Sequence, residues 1–177
     1  MSGRTDKKGP AGRLRGEISR YLFFGILTTL VGWAVYFALL WGGRAVFDIP
    51  ADDTTSAAYI GIYTAAQIIQ WVAAVLFAFY TNRKWVFTDA DRSVSAISQL
   101  AVFAGGRLLT FGLDYLVTLT GTNALASLWP GLSGVYVGAL ERAVNLAEVI
   151  SKIAAAVIVI VGNYVFSKLL VFRKKKP

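Results

Sequence analysis

Four ionisable residues stand inside two otherwise apolar stretches, and their types and spacing are the first chemistry the chain offers. Arg107 and Asp114 are seven residues apart, a spacing that puts both on one face of a helix. Glu148 and Lys152 are four apart, close enough on a helix to pair directly. Arg107, Asp114, Glu148 and Lys152 sum to zero charge, which fits mutual pairing, and a charge in a membrane span costs roughly 2.5–3.5 kcal/mol on insertion scales. Such residues face a bundle interior or water. A guanidinium matches phosphate oxygens in a two-pronged way, so Arg107 is the first candidate to hold a lipid phosphate, with Lys152 second. Asp114, Glu148, Gln67 and Gln70 are the candidates for the lining of a polar cavity. The structural alternative is an interhelical ion-pair set, with the glutamines as packing contacts.

The elements that must carry these residues are membrane helices. The chain has 177 residues, 56% of them hydrophobic and 16% charged, with a mean hydropathy of +0.57. A soluble domain has about 25% charged residues. Tyr21 to Gly43 is uncharged for 23 residues, and Thr54 to Asn82 for 29. Each is long enough to cross a hydrocarbon core of about 30 Å at about 1.5 Å per residue. The expected spans are about 20–43, 57–82, 96–121 and 144–168. The run Val157-Ile158-Val159-Ile160-Val161 favours a strand in water, but an open strand in lipid leaves backbone groups unpaired, so a helix is expected. The first span is too long for the apolar core of a signal peptide. Residues 122–140 are uncharged but hold Asn123, Trp129-Pro130-Gly131, Gly134 and Gly138, and are expected to form an apolar outer loop and not a fifth span.

Fourteen basic residues fall on one side of this four-span arrangement: Arg4, Lys7, Lys8, Arg13, Arg15 and Arg20, then Arg83, Lys84 and Arg92, then Lys168, Arg173, Lys174, Lys175 and Lys176. Arg44 and Arg142 fall on the other, with Asp48, Asp52, Asp53 and Glu141. The positive-inside rule therefore places both termini and the middle loop in the cytoplasm of a bacterial inner membrane. Residues 1–19 are expected to be a disordered basic segment, 20–173 the membrane domain and 174–177 a basic tail. The basic ends suit anionic headgroups and give no reason to invoke nucleic acid. No cysteine or histidine occurs, which excludes disulfides, thiolate sites and the commonest general base, and no metal or cofactor site is expected.

The two halves repeat. Phe79-Tyr80-Thr81-Asn82-Arg83-Lys84-Trp85-Val86-Phe87 matches Tyr164-Val165-Phe166-Ser167-Lys168-Leu169-Leu170-Val171-Phe172 at an offset of 85. Tyr21 to Thr29 and Leu100 to Leu108 match more loosely. The fold expected is all-α integral membrane, with four transmembrane helices as two parallel-repeat helical hairpins.

At these residues the chain resembles the GtrA-like family of small bacterial membrane proteins. Phe79, Asn82, Arg83, Trp85, Val86 and Phe87 fit that family's pattern at the close of the first hairpin, and Asn163 fits its opening Asn in the second. Ala78 departs from the pattern, as does Ser167-Lys168 in place of Asn-Arg. Arg20-Tyr21-Leu22-Phe23-Phe24-Gly25 with Thr29 is similar to the family's start, and Arg107 and Asp114 fit its third helix. The resemblance implies cell-surface polysaccharide assembly, by moving or helping to move sugars linked to polyprenyl phosphate. It implies a polyprenyl-phosphate sugar as the lipid partner, with a membrane glycosyltransferase as a further one. On this resemblance Arg83 joins the phosphate candidates, Asn82 and Asn163 join the polar cavity, and Asp114, Glu148, Gln67 and Gln70 become candidates for hydrogen bonds to sugar hydroxyls. The alternatives are a scaffold for a glycosyltransferase and a small proton-coupled exporter. Four short helices enclose little space, which favours a homodimer. No nucleophile–base pair or phosphate-cradling loop appears, so no enzyme is expected.

Overall fold

The computed structural model describes residues 9–50, 53, 55–133, 135–137 and 144–173. Four helices in it are long and apolar enough to cross a membrane. The protein is a multi-pass membrane protein of the all-α class.

The chain divides into two compact units, one ending at Ala90 and the other running from Asp91 to Arg173. The first is a hairpin of α1 (Pro10–Val46) and α2 (Ala57–Thr81). Proline opens α1, where its missing N–H is one of the unpaired donors anyway. Phe47 caps the other end by donating to the Gly43 carbonyl, and Asp48 then takes a positive φ of 50°. Ser56 starts α2, its hydroxyl accepting from the Tyr59 N–H at 3.1 Å. Arg44 holds the connection by donating to the carbonyls of Pro50 and Asp53, and its guanidinium lies 4.7 Å over the Tyr59 ring. The two helices pack antiparallel: a Cβ on Gly43 would strike Ile62, one on Gly32 would meet Gln70 and Ala74, and Tyr21 reaches Phe87.

The second unit is a hairpin of α3 (Ala96–Leu128) and α5 (Leu146–Phe166), with a four-residue helix α4 (Pro130–Ser133) and a two-residue antiparallel strand pair between them. In that pair β1 (Tyr136–Val137) sets Tyr136 opposite Asn145 and Val137 opposite Val144 of β2 (Val144–Asn145). Phe103 meets Phe172, Gly106 meets Phe166, and Gly121 meets Ser151, again an antiparallel order. The Asp91 N–H donates to the Arg173 carbonyl at 2.7 Å and closes the ends of the unit together.

Both hairpins finish in a π-helical turn. Asn82–Val86 follows α2, and Ser167–Val171 follows α5. Phe87 N–H reaches the Asn82 carbonyl at 2.9 Å, and Phe172 N–H reaches the Ser167 carbonyl at 2.8 Å. The wider turn rotates Val86, Phe87, Val171 and Phe172 inward, and all four are buried. The offset of 85 read in the sequence is thus repeated in the backbone.

The first and third helices align differently from the sequence match. Tyr21 packs on Phe87 with ring centroids 6.5 Å apart and an interplanar angle of 54°, and Phe103 packs on Phe172 at 6.1 Å and 53°. Tyr21 therefore corresponds to Phe103, an offset of 82, and not to Leu100.

Two boundaries also differ. Residues 10–19, expected to be disordered, form the first turns of α1. Extending a helix that the membrane already nucleates adds one hydrogen bond per residue ordered, and Ala11, Arg13, Leu14 and Arg15 are good helix formers. The expected outer loop begins later than residue 122, because α3 continues to Leu128 before Trp129 caps it. No charge or proline interrupts Thr122 to Leu128, so nothing ends the helix there. Residues 1–8, the tail 174–177 and residues 138–143 lie outside the described residues.

Candidate functional site

The charged residues of the second unit do not form one symmetrical set. Lys152 of α5 reaches across to Asp114 of α3, with Nζ 2.5 Å from Oδ2. The Asp114 side chain is 23% exposed and that of Lys152 59%. A charge-assisted pair offsets part of the cost of carrying either group into a span. Glu148 is exposed in the first turn of α5, where the helix dipole favours a carboxylate.

Arg107 lies two turns from Asp114 on α3, the spacing the sequence indicates. It is half-buried, and its guanidinium sits 4.9 Å from the centroid of the Phe103 ring. Among the described residues it has no ion-pair partner. Phe103 is itself 1% exposed and wedged against Phe172, so the ring that carries the guanidinium is fixed.

Asn163 is 7% exposed on α5, and its Oδ1 accepts from the Thr110 hydroxyl of α3 at 2.9 Å. The same hydroxyl lies 3.1 Å from the carbonyls of Gly106 and Arg107. Thr110 is one turn beyond Arg107 and one turn before Asp114. Thr118, one further turn along, has a buried Oγ1 with no partner among the described residues. Arg107, Thr110, Asp114 and Thr118 thus run up α3 at intervals of three or four residues as one polar stripe. The charged members were legible in the sequence and the threonines were not. Their signal is the i,i+4 recurrence of hydroxyls in register with a charge.

The remaining candidates belong to the first unit. Gln67 and Gln70 of α2 form a short ladder with Tyr63: Gln70 Nε2 donates to Gln67 Oε1 at 3.2 Å, and Gln67 Nε2 donates to the Tyr63 hydroxyl at 3.0 Å. They line a cleft with Trp33, Tyr36 and Phe37 of α1. Asn82 opens the π-turn and is 3% exposed, with its Oδ1 unpartnered among the described residues. Arg83 is half-buried in the same turn. Beside them Lys84 donates to the Tyr80 hydroxyl at 2.9 Å and lies 4.8 Å over the Trp85 ring, which stacks on Phe24 at 5.3 Å. Aromatic and basic groups clustered at a helix end match a membrane–water interface.

The profile of the family described as GtrA/DPMS, transmembrane domain, matches residues 20–172, from the base of the first apolar span to the second π-turn. The chain belongs to this family. Both π-turns, the Arg107 stripe and the Asp114–Lys152 pair fall inside the GtrA/DPMS match. The chain is similar to the membrane protein YwcD of Bacillus subtilis, 29% identical over 88% of this chain and 96% of that one. It is also similar to the cell wall teichoic acid glycosylation protein GtcA of Listeria monocytogenes, 30% identical over 90% of this chain and 87% of the relative. GtcA of Listeria innocua is 32% identical over 64% of this chain and 66% of its own length. No solved structure matches this GtrA/DPMS chain.

Proposed function

We propose that this protein moves a polyprenyl-phosphate-linked sugar across the bacterial cytoplasmic membrane, for the glycosylation of cell-wall polymers. The relatives named for teichoic acid glycosylation support the process. The single observation that supports the step is Arg107. Lys152 is neutralised by Asp114, whereas Arg107 sits in a long apolar helix with an aromatic ring beneath it and no carboxylate on it among the described residues. A guanidinium in that setting suits an anion whose remainder is apolar, and a phosphate monoester or diester on an isoprenoid chain is such an anion. The hydroxyl stripe of Thr110 and Thr118 and the Asn163 amide supply neutral hydrogen-bonding groups beside it. Arg83 and the Asn82 π-turn, with both termini cytoplasmic, would admit the headgroup from the cytoplasmic leaflet.

A cation exporter suits this site poorly, because the charge it presents is positive. The protein acts on this reading by binding and positioning.

Reconstitution in liposomes with a labelled polyprenyl-phosphate sugar tests the proposal. Leaflet crossing that needs the protein and falls at least tenfold in Arg107→Ala is the expected result. Crossing that survives Arg107→Ala moves the phosphate site to Lys152 or Arg83. No crossing with folded protein overturns the carrier and leaves a scaffold for a membrane glycosyltransferase.

A further inference from the structure

We propose that the cleft between α1 and α2 of the first unit binds a single pyranose ring. It encloses about 440 Å³, near the small end of the roughly 300–1,000 Å³ usual for small-molecule sites. Its walls are Trp33, Tyr36 and Phe37 on one helix and Gln67 and Gln70 on the other.

The glutamines make no side-chain hydrogen bond across to α1 among the described residues. The ladder Gln70 to Gln67 to Tyr63 lies wholly within α2. It is also unfinished. The Gln70 Oε1 receives no hydrogen bond among the described residues, each carboxamide keeps one N–H outside the ladder, and the Tyr63 hydroxyl accepts without a bonded acceptor of its own. Hydrocarbon leaves such groups unpaired at high cost, so a span that keeps them exposed has a polar occupant for them. The α1 backbone makes room for the Gln70 amide, which forms part of the cleft wall: a Cβ on Gly32 would stand 2.9 Å from Gln70 Oε1.

The opposite wall fixes the occupant's other property. Trp33 and Phe37 are one turn apart on α1, and both are more than a third exposed. Phe37 is held edge-on by Tyr36 at 5.2 Å, and Tyr36 is held by Tyr63 at 6.2 Å and 88°, so the aromatic wall and the amide ladder share one support. The ligand therefore has an apolar face and an edge of hydroxyls. Among the described residues no carboxylate, lysine or arginine lines the cleft, so its described walls carry no formal charge. A neutral pyranose ring meets all three conditions, with its axial C–H face on Trp33 and its hydroxyls on the amides. An anion lacks a counter-charge here, and an acyl chain leaves the amides unpaired. The identity of this ring as the sugar of a phosphate-linked lipid rests on the carrier reading above, whereas the existence of the site does not.

The test is Trp33 emission in nanodiscs, with Trp41, Trp71, Trp85 and Trp129 changed to Phe and folding verified by circular dichroism. Methyl hexosides should give a saturable shift, abolished in Gln67→Leu·Gln70→Leu and not produced by a linear hexitol. No saturable shift, or an equal shift in the double variant, overturns the site. In the otherwise unaltered chain the same double variant should lose about tenfold in affinity for the sugar-bearing lipid and nothing for bare polyprenyl phosphate. Equal loss for both lipids also overturns it. A saturable Trp33 response without leaflet crossing supports the pyranose site and counts against the carrier alone, so the two failures are distinguishable.

Discussion

The Thr110 hydroxyl reaches Asn163 across the second hairpin at 2.9 Å, and the equivalent positions of the first hairpin, Thr28 and Ala78, make no such bond. Thr28 instead donates to the Phe24 carbonyl one turn back at 2.8 Å. A repeat that is near-identical at its π-turns has therefore diverged at its middle, in the unit that also carries Arg107. Thr110→Val leaves the Asn163 amide without its partner, and is expected to cost about 1–2 kcal/mol in reversible unfolding from mixed micelles. Thr110→Ser should retain most of that. A double cycle with Asn163→Ala should show a coupling near the roughly 0.6 kcal/mol usual for membrane hydrogen bonds.

Asp114 and Lys152 give a second prediction. Lys152→Ala leaves a carboxylate alone in a span, so it should lower thermal stability more than Asp114→Asn·Lys152→Gln, which removes both charges. The exchanged pair Asp114→Lys·Lys152→Asp keeps an ion pair in the same place and should restore stability. If the pair serves only the fold, the exchange restores leaflet crossing as well. A role in substrate handling predicts stable protein with crossing still reduced at least tenfold.

These contrasts follow what a sequence displays. Arg107, Asp114 and Lys152 were legible because charge within apolar sequence is rare and costly. Thr110 and Thr118 were not, because threonine in a membrane helix ordinarily satisfies itself on the carbonyl four residues back, as Thr28 and Thr120 do here. The first two spans were plain from their uncharged lengths and the other two from apolar runs around isolated charges, whereas the ends of α1 and α3 were not, since a helix can run past the hydrocarbon without any change of pattern. The offset of 85 was legible from a motif of basic, Val and Phe residues. The offset of the first and third helices was not, because short aromatic and glycine matches fit several shifts and only the Tyr21–Phe87 and Phe103–Phe172 contacts select one.

Gly106 predicts a steric effect confined to one position. A Cβ there would overlap the Phe166 ring, whereas one on the adjacent Gly105 meets nothing within 4 Å. Gly106→Ala should destabilise the second unit by about 1–3 kcal/mol. Gly105→Ala should be neutral or slightly stabilising through helix propensity. Phe166→Leu in the Gly106→Ala background should recover part of the loss, read as a rise in unfolding temperature.

Asp53 predicts a pH dependence at the start of α2. Its carboxylate is held below the usual carboxylate range by the Ser56 side chain, helped by the backbone N–H groups of Ser56 and Thr55 and by the Arg44 charge, against a small opposing effect of burial. The two N–H groups donate to its Oδ1 at 3.0 and 3.1 Å. A carboxyl whose value is lowered by folding binds its proton more readily when unfolded, so its contribution is present above its ordinary value of about 3.9 and lost as pH falls through the lower folded value. Hydrogen exchange at the Thr55 and Ser56 amides should therefore be slow near neutrality, with protection falling only below about pH 4. Asp53→Ala should remove the protection at Thr55 and Ser56 at every pH. Tyr59 should keep most of its own, since its N–H is capped by the Ser56 hydroxyl and not by the carboxylate. Protection of Ser56 that ignores both acid and the substitution would mean the carboxylate does not hold this turn.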